Sequence, residues 1–515
     1  MVAVCKGILT VGIDLGTSSV KALAIDENGV IRGQAQQDYP TYRPAPDRVE
    51  QDPKDWWIAV KKAIEELGAK VDLGQVATIA MSGQLNGLVL LDKDLNPLCN
   101  SAIWLDQRAT EQADFLTAHY GDSLQKLALS TPGPIHVLSK LLWYKDNQSN
   151  LLDRTHKIVF AKDFITLRLA GVCVTDKSDA GAAFMLDLEK RDWAWELLSE
   201  LGISSSILPS LHESPELVGR VTADCANETG LKAGISVVVG AGDMAALAIG
   251  TGVTTPDTAC ATIGTAGHVA YYQEMVPEQL PSGLFLMCHA VPGKYFLHGL
   301  VMTGGYSLTW FVENFIHAEN TQTASEKANA YRILLDQAAE VPAGSNGLIF
   351  LPFLQGASTP YNNPDAKACF AGITASATKA MFARAILEGV AYNFRDSFEL
   401  LQQMGRRPKR ITVGEGGSRH PLWPTIVASV LGFPVSMLTE LESSAFGAAI
   451  IAGVAVGVWP SFSDASHKAI QVADHIAPDL EDHSEYTKKY RLYQQVYAAM
   501  EPLYSDMTVA NQKGV

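Results

Sequence analysis

Asp14-Leu15-Gly16-Thr17-Ser18-Ser19 sets a carboxylate beside a glycine and a run of hydroxyls. In a strand-turn-strand bend the glycine lets backbone N–H groups converge on one point. The hydroxyls add donors, making an anion-binding concavity that needs no lysine. Phosphate suits such a concavity. Asp14 falls on the strand face opposite Val11, Ile13 and Leu15. A carboxylate next to phosphate is repulsive unless a divalent cation lies between them, so Mg2+ is implied. For the hexapeptide alone, an ordinary hairpin with solvated polar residues is the alternative.

Gly264-Thr265-Ala266-Gly267 repeats the same donor logic in the second half of the chain and would suit the other end of a polyphosphate. Two such bends facing one cleft would grip a nucleotide without the G-x-x-x-x-G-K-[ST] loop, which is absent here. Val237-Val238-Val239-Gly240-Ala241-Gly242-Asp243-Met244 ends a β-branched strand in two glycines and an aspartate. Asp243 could accept the proton of a hydroxyl attacking phosphorus, or be a turn aspartate bonding its own backbone. Gly414-Glu415-Gly416-Gly417-Ser418-Arg419 offers flat backbone for an adenine or ribose, or a helix entry that needs positive φ. Gln84, Leu85, Asn86, Trp104, Asp106 and Arg108 lie beyond expected strand ends, where sugar hydroxyls could find amide, carboxylate and ring partners. Cys288-His289 has no second pair at metal-ligand spacing and reads as structural.

The elements that would position these residues form two similar sets. Ile8 to Asp14, Ser19 to Asp26 and Val30 to Tyr39 read as an antiparallel meander, followed by a helix from Asp52-Pro53 to Leu67 carrying Trp56 and Trp57 in the core. Strands follow at Val76 to Met81 and at Leu88 to Leu91, the second hairpin-like and ending in Asp92 to Pro97, with a helix from about Ala109 to His119. Later, Thr258 to Ile263 and His268 to Tyr272 flank the second bend. Lys379 to Met404 is a long helical pattern, Ile411 to Val413 a strand, and Ser443 to Val458 a small-residue helix. Two related domains are expected, divided around Gly252 to Pro256.

Composition narrows the class. The chain has 515 residues, 47% of them hydrophobic and 18% charged, enough for several cores. A formal charge of -15 gives no basic footprint for nucleic acid or an anionic membrane surface. The 7 cysteines include no C-x-x-C pair, which fits a reducing cytoplasm. Met1 to Thr10 lacks a secretory pattern, and Ala445 to Trp459, the longest apolar run, is too short to span a bilayer.

The ordered motifs resemble the FGGY carbohydrate kinases along nearly the whole chain, most of all their xylulokinase branch. They run through Gly12-Ile13-Asp14-Leu15-Gly16-Thr17-Ser18, Glu50-Gln51-Asp52-Pro53-Lys54-Asp55-Trp56-Trp57, Gly83-Gln84-Leu85-Asn86-Gly87, Lys140-Leu141-Leu142-Trp143 and Lys162-Asp163-Phe164. They continue through Ser178-Asp179-Ala180, Gly242-Asp243, Leu351-Pro352-Phe353-Leu354, Thr359-Pro360-Tyr361-Asn362-Asn363-Pro364 and Ala383-Arg384-Ala385-Ile386-Leu387-Glu388-Gly389.

The resemblance implies an α/β actin-like fold: two ribonuclease-H-like domains, residues 1–253 for sugar and 254–515 for nucleotide, around a cleft. It implies ATP- and Mg2+-dependent phosphorylation of a sugar hydroxyl, with D-xylulose to D-xylulose 5-phosphate as the first expectation. Another ketose such as ribulose, an aldonate such as gluconate, or glycerol are the alternatives within the kinases; a non-kinase actin-like ATPase and an inactive sugar-binding relative are the alternatives outside them. By position, Asp243 is expected as general base and Asp14 as the metal-associated acid, both near the metal. Gln84, Leu85, Asn86, Trp104, Asp106 and Met244 are expected around the sugar. Gly16, Thr17, Ser18, Gly264, Thr265, Gly416, Gly417 and Ser418 are expected at the nucleotide. No nucleic-acid or membrane partner is expected, and a homodimer is left open.

The departures fall where substrate is recognised. The branch usually shows Met-His at Leu85-Asn86, Asp-Asn at Asp243-Met244, Trp-Asn-Asp at Trp104-Leu105-Asp106 and Glu-Arg at Ala357-Ser358, and its Gly-Gly-Gly-Ala turn appears as Glu415-Gly416-Gly417-Ser418.

Overall fold

A computed structural model describes residues 7–316 and 324–512. Cys5 and the first part of the Met1 to Thr10 segment lie outside the described residues.

Two mixed sheets repeat one plan. In the N-terminal half the strands are β1 (Leu9–Leu15), β2 (Ser19–Ile25), β3 (Ile31–Asp38), β4 (Val76–Gly83), β5 (Leu217–Arg220) and β6 (Ser236–Gly242), in the order β5-β6-β4-β1-β2-β3. In the C-terminal half they are β7 (Thr258–Ile263), β8 (Gly267–Gln273), β9 (Phe285–Cys288), β10 (Tyr295–Val301), β11 (Arg410–Gly414), β12 (Val435–Leu438) and β13 (Val472–Ile476), in the order β9-β10-β8-β7-β11-β12-β13.

Pairing directions match strand for strand. β1 is antiparallel to β2 and parallel to β4, as β7 is antiparallel to β8 and parallel to β11. Next outward, β6 and β12 are parallel, and the edges β5 and β13 antiparallel. The second sheet adds only β9, so the duplication expected from the paired bends, and the ribonuclease-H-like plan that the resemblance implies, are both present.

The inner strands are covered on both faces and read accordingly as apolar runs. Val237, Val238 and Val239 are fully buried. Helix α1 (Pro53–Gly68) starts as expected: the Asp52 side chain accepts from the Lys54 amide at 2.9 Å, and Pro53 occupies the first turn where its missing N–H costs nothing. Its inner face carries Trp56, Trp57, Val60, Ile64 and Leu67. Two shorter helices follow, α2 (Val137–Asn147) and α3 (Lys177–Ala182). Leu88–Leu91 is hairpin-like as expected: Asp92 accepts the amides of Asp94 and Asn96 and closes a turn, and the chain returns antiparallel with Leu98 N donating to Leu90 O at 2.8 Å, Pro97 bridging Leu91 and Ala102 opposite Leu88. On its other side the strand pairs with Lys157–Phe160, in a separate five-stranded sheet.

The halves meet through α4 (Asp243–Gly250), which leaves β6, and α7 (Ser443–Ala455), which follows β12; between them in sequence lie α5 (Gly305–Phe311) and α6 (Lys379–Gln403). Small residues let α4 and α7 cross with backbones touching: a Cβ on Gly447 would fall 1.9 Å from the Ala246 carbonyl oxygen. Gly12 on β1 admits α7 as closely, 2.0 Å from the Ala445 carbonyl oxygen. This seats Asp14, on the same strand face, beside the crossing. The last helix described is α8 (Leu480–Gln512), whose buried Tyr486, Tyr490, Tyr493, Tyr497 and Tyr504 belong to a large apolar core that draws on both halves. No helix among the described residues is long and apolar enough to cross a membrane.

Candidate active site

Both expected bends form between antiparallel strands. At the first, the Gly16 amide donates to Ser19 carbonyl at 3.0 Å, the Tyr39 hydroxyl caps the Gly16 carbonyl, and Trp104 Nε1 donates to Thr17 Oγ1 at 2.9 Å. At the second, the first amides of α5 close on the bend: Gly305 N to Gly264 O at 2.7 Å and Tyr306 N to Thr265 O at 3.1 Å. A cavity of about 830 Å³ opens beside this second bend, walled by Gly264, Thr265, Gly416 and Gly417 and by Lys21 and Glu442. Gly16, Thr17 and Ser18 are not among its walls.

Lys21 on β2 and Glu442, just before α7, form an ion pair across the two halves. With side chains 33% and 31% exposed it is screened, and contributes at most ~1 kcal/mol.

Two further carboxylates, Asp14 and Asp243, lie within electrostatic reach of Glu415, though neither is among the cavity's walls. Asp14 accepts from Ser82 Oγ at 2.7 Å, and burial raises its pKa against the opposing pull of that bond and of Lys21. Asp243 is half-buried at the start of α4, where its Oδ1 accepts its own following amide, Met244 N, at 2.8 Å. Burial first, then the charges of Asp14 and Glu415, push its carboxyl up to about 8. Glu415 is pushed up to about 7, chiefly by burial, with the Thr262 hydroxyl and Lys21 opposing and Glu442 and Asp14 reinforcing. A carboxyl raised toward neutrality at the end of a strand is suited to exchange a proton with an alcohol, accepting one once it is ionised.

The sugar-side residues are brought to one wall but differ in availability. Gln84 Nε2 donates to Gln51 Oε1 at 2.8 Å, while Gln84 Oε1 is buried with no partner. Asn86 sits at φ 61°; its Oδ1 accepts Val137 N at 3.3 Å and its carbonyl accepts Lys140 Nζ at 2.8 Å. Leu85 is half-buried and lies against Gly242, and Trp104 keeps part of its ring exposed.

Three expectations are corrected. Asp106 is fully buried and saturated: Oδ1 accepts Arg108 Nε at 2.7 Å and Arg108 N at 3.2 Å, and Oδ2 accepts Val49 N at 2.7 Å and Arg108 Nη2 at 2.8 Å. It holds Arg108 behind the wall and offers no lone pair to a hydroxyl. The Met244 side chain packs into the apolar core around α4 and α7. Ser418 is buried, with its hydroxyl donating to Glu415 O at 2.7 Å, so only its two preceding glycines face the cavity.

Sequence reasoning gave no site role to Lys21, Gln51, Ser82 or Ser178, although Gln51 and Ser178 stand in motifs that carry the resemblance. Lys21 carried a signal, as the only charged residue in the SVKALAI strand. Gln51 Nε2 donates to Thr17 O at 2.7 Å, joining the Gln84 wall to the first bend. Ser178 Oγ accepts the amide of Gly242, the residue before Asp243, at 2.9 Å.

The N-terminal domain model of the FGGY family of carbohydrate kinases matches residues 9–250, and the C-terminal domain model residues 248–456. A xylulose kinase of Staphylococcus epidermidis is 31% identical over 98% of this chain and 99% of its own length. Among solved structures, a "xyloylose kinase" from Brucella ovis is similar at a TM-score of 0.86 and 31% identity, covering 96% of this chain and 100% of that one. A gluconate kinase from Lactobacillus acidophilus is similar at a TM-score of 0.87 and 26% identity, covering 97% and 100%. With matched halves, matched fold and a nucleotide-sized cleft between the duplicated sheets, this chain belongs to the FGGY family of carbohydrate kinases, ATP-dependent sugar kinases of actin-like architecture.

Proposed function

We propose that this enzyme phosphorylates a ketopentose, D-xylulose to D-xylulose 5-phosphate, with ATP as donor. The observation that carries the catalytic part is Asp243, a half-buried carboxyl beside Asp14 with its pKa pushed up to about 8. On this reading Asp243 takes the proton of the sugar hydroxyl as that oxygen attacks the γ-phosphorus and the bond to the ADP oxygen breaks. Gly264 and Thr265, with the Gly16-Thr17-Ser18 bend, hold the phosphate chain in line, and Gly416 and Gly417 lie against the nucleoside. Closure of the halves excludes water from the transfer.

The residues fit magnesium. Among the described residues no three or more His, Cys, Asp or Glu side chains form a protein cage for a metal. Mg2+ needs none, since it keeps several waters and is bound through one or two carboxylates and the substrate phosphates. Asp14 and Asp243 are the carboxylates placed to hold it, and its charge would offset both their repulsion and the charge spreading over the phosphoryl oxygens.

Support for D-xylulose comes from relatives named xylulose kinases that match nearly the full chain. A gluconate-type substrate is the second reading, favoured by a gluconate kinase structure of matching fold at a TM-score of 0.87 and by Leu85 and Asn86 at departing positions. ADP release across a panel of ketoses, aldonates and glycerol, with the product position read by phosphorus NMR, separates them. Asp243→Ala is expected to abolish sugar-dependent ADP release while ATP binding stays nearly intact. Retention of most of kcat would remove Asp243 from the base role.

A further inference from the structure

Glu415 is built into the nucleotide turn against backbone preference. Its φ of 65° and ψ of -176° belong to a region that essentially only glycine adopts without strain. Strain of this kind persists only where surrounding structure enforces it, and it gathers at functional sites.

The strain carries the side chain into the cavity. A Cβ added to Gly264 would fall 2.4 Å from Glu415 Oε2, so the carboxylate rests directly against the Gly264 backbone. Gly264 and Thr265 form the bend expected to receive phosphate, and both wall the cavity together with Glu415. Facing the carboxylate are Lys21 from β2, Asp14 from β1, Glu442 from the turn before α7, Asp243 from α4 and the Thr262 hydroxyl from β7. Lys21, the one cation in that set, is paired with Glu442. A triphosphate brought to this bend therefore meets a carboxyl already standing on it; the cavity's other basic groups, Arg332, Arg419 and His420, are on the wall, with Arg332 and His420 paired to Asp336.

We infer that Glu415 is an internal competitor for the phosphate chain, a carboxylate resting on the second bend that must swing aside before a polyphosphate nucleotide can seat. It sets nucleotide affinity and takes no part in the chemical step. This rests on the reading of the cavity as the nucleotide site.

The test is calorimetric titration of ATP, ADP and AMP, each with Mg2+, into the full chain and its Glu415→Gly and Glu415→Gln variants. Glycine removes both the obstacle and the strained residue, and is expected to tighten ATP binding about tenfold or more. Glutamine keeps the bulk and loses the charge, so it is expected to fall between wild type and the glycine variant. AMP, which lacks the phosphates that reach the bend, is expected to change less than about twofold. ATP binding no tighter in Glu415→Gly than in wild type would overturn the inference, as would AMP tightening by the same factor as ATP. If the glycine variant fails to fold, the glutamine variant decides: tighter ATP with unchanged AMP supports competition, and unchanged ATP overturns it. Wild type that binds no ATP at millimolar concentration would instead overturn the nucleotide reading, and the competition with it.

Discussion

The Gly242 amide donates to Ser178 Oγ at 2.9 Å, which ties the backbone immediately before Asp243 to helix α3. Ser178 Oγ in turn donates to Asp176 Oδ2 at 2.5 Å, and Asp176 also accepts Ser178 N at 2.8 Å and Ser214 Oγ at 3.1 Å. Asp243 is thus held by this buried network as well as by the Met244 amide on its Oδ1 and Ser444 Oγ on its carbonyl. Ser178→Ala unpartners the Gly242 amide and loosens that anchor. We expect kcat to fall about tenfold, the equivalent of one lost hydrogen bond in the transition state, with KM for ATP within about twofold. Steady-state kinetics with ATP and sugar varied separately check this. An unchanged kcat would detach Ser178 from the placement of Asp243.

Deeper in the same network, Lys162 Nζ lies 2.5 Å from Asp163, 3.0 Å from Asp176 and 3.1 Å from Asp179, with every side chain at most 1% exposed. Three carboxylates keep Lys162 charged, its pKa held well above the ordinary value despite burial. Lys162→Met leaves those carboxyls without a cation, and removing one partner of a buried ion pair typically costs about 3–5 kcal/mol. A sharply lowered melting temperature or insoluble expression is the expected outcome. A melting temperature within about 2 °C of wild type would show that the aspartates are neutral without the lysine.

How much of this is legible in the sequence depends on how local each feature is. The paired bends, the β-branched strand ending at Asp243, and the Asp52-Pro53 helix start are all fixed by neighbours within a few residues, and all stand where the sequence puts them. Asp106, Met244 and Ser418 have side chains suited to a site, but their partners decide otherwise: a guanidinium, the core at the α4–α7 crossing, and the Glu415 carbonyl. The Lys21 and Glu442 partners lie 421 residues apart, beyond any periodicity or motif. Glu415 is visible as an odd residue in a glycine turn, but its reach to Gly264 appears only when two strands of the second sheet are laid side by side.

Asp396 on α6 gives the clearest pH dependence of stability. It is buried, and accepts from Tyr490 at 2.7 Å, Tyr493 at 3.3 Å and Asn393 at 3.1 Å. Burial still outweighs these donors and pushes the carboxyl up to about 7, from an ordinary 3.8. The native state therefore holds a proton that the unfolded chain has already released between those values. The stabilisation is fully present below the unfolded pKa and is lost as pH rises through the folded one. Asparagine at this position cannot titrate. Melting temperatures of wild type and Asp396→Asn, taken from about pH 5 to about pH 8, are expected to shift steadily in favour of the variant. A difference that stays flat across that range would mean the carboxyl is already ionised in the folded protein at the acid end.

Trp104 is where the sugar wall and the first bend become one structure, since its Nε1 donates to Thr17 Oγ1 at 2.9 Å. With Asp106 saturated by Arg108 and Met244 withdrawn into the core, the part-exposed indole of Trp104 is what this wall still has to offer a hydroxylated substrate, the unpartnered Gln84 Oε1 being itself buried. Trp104→Phe keeps an apolar ring and deletes the N–H, which frees Thr17 and lets the ring turn. If the ring orients the sugar, KM for the sugar rises about three- to tenfold, while KM for ATP changes little, because lost ground-state contacts of this size are worth about 1 kcal/mol. If the Thr17 bond instead fixes the bend for phosphate, the same variant raises KM for ATP and leaves the sugar untouched. Kinetics with both substrates varied therefore tell which half of the site the tryptophan serves, and a variant indistinguishable from wild type in both would leave it as wall packing alone.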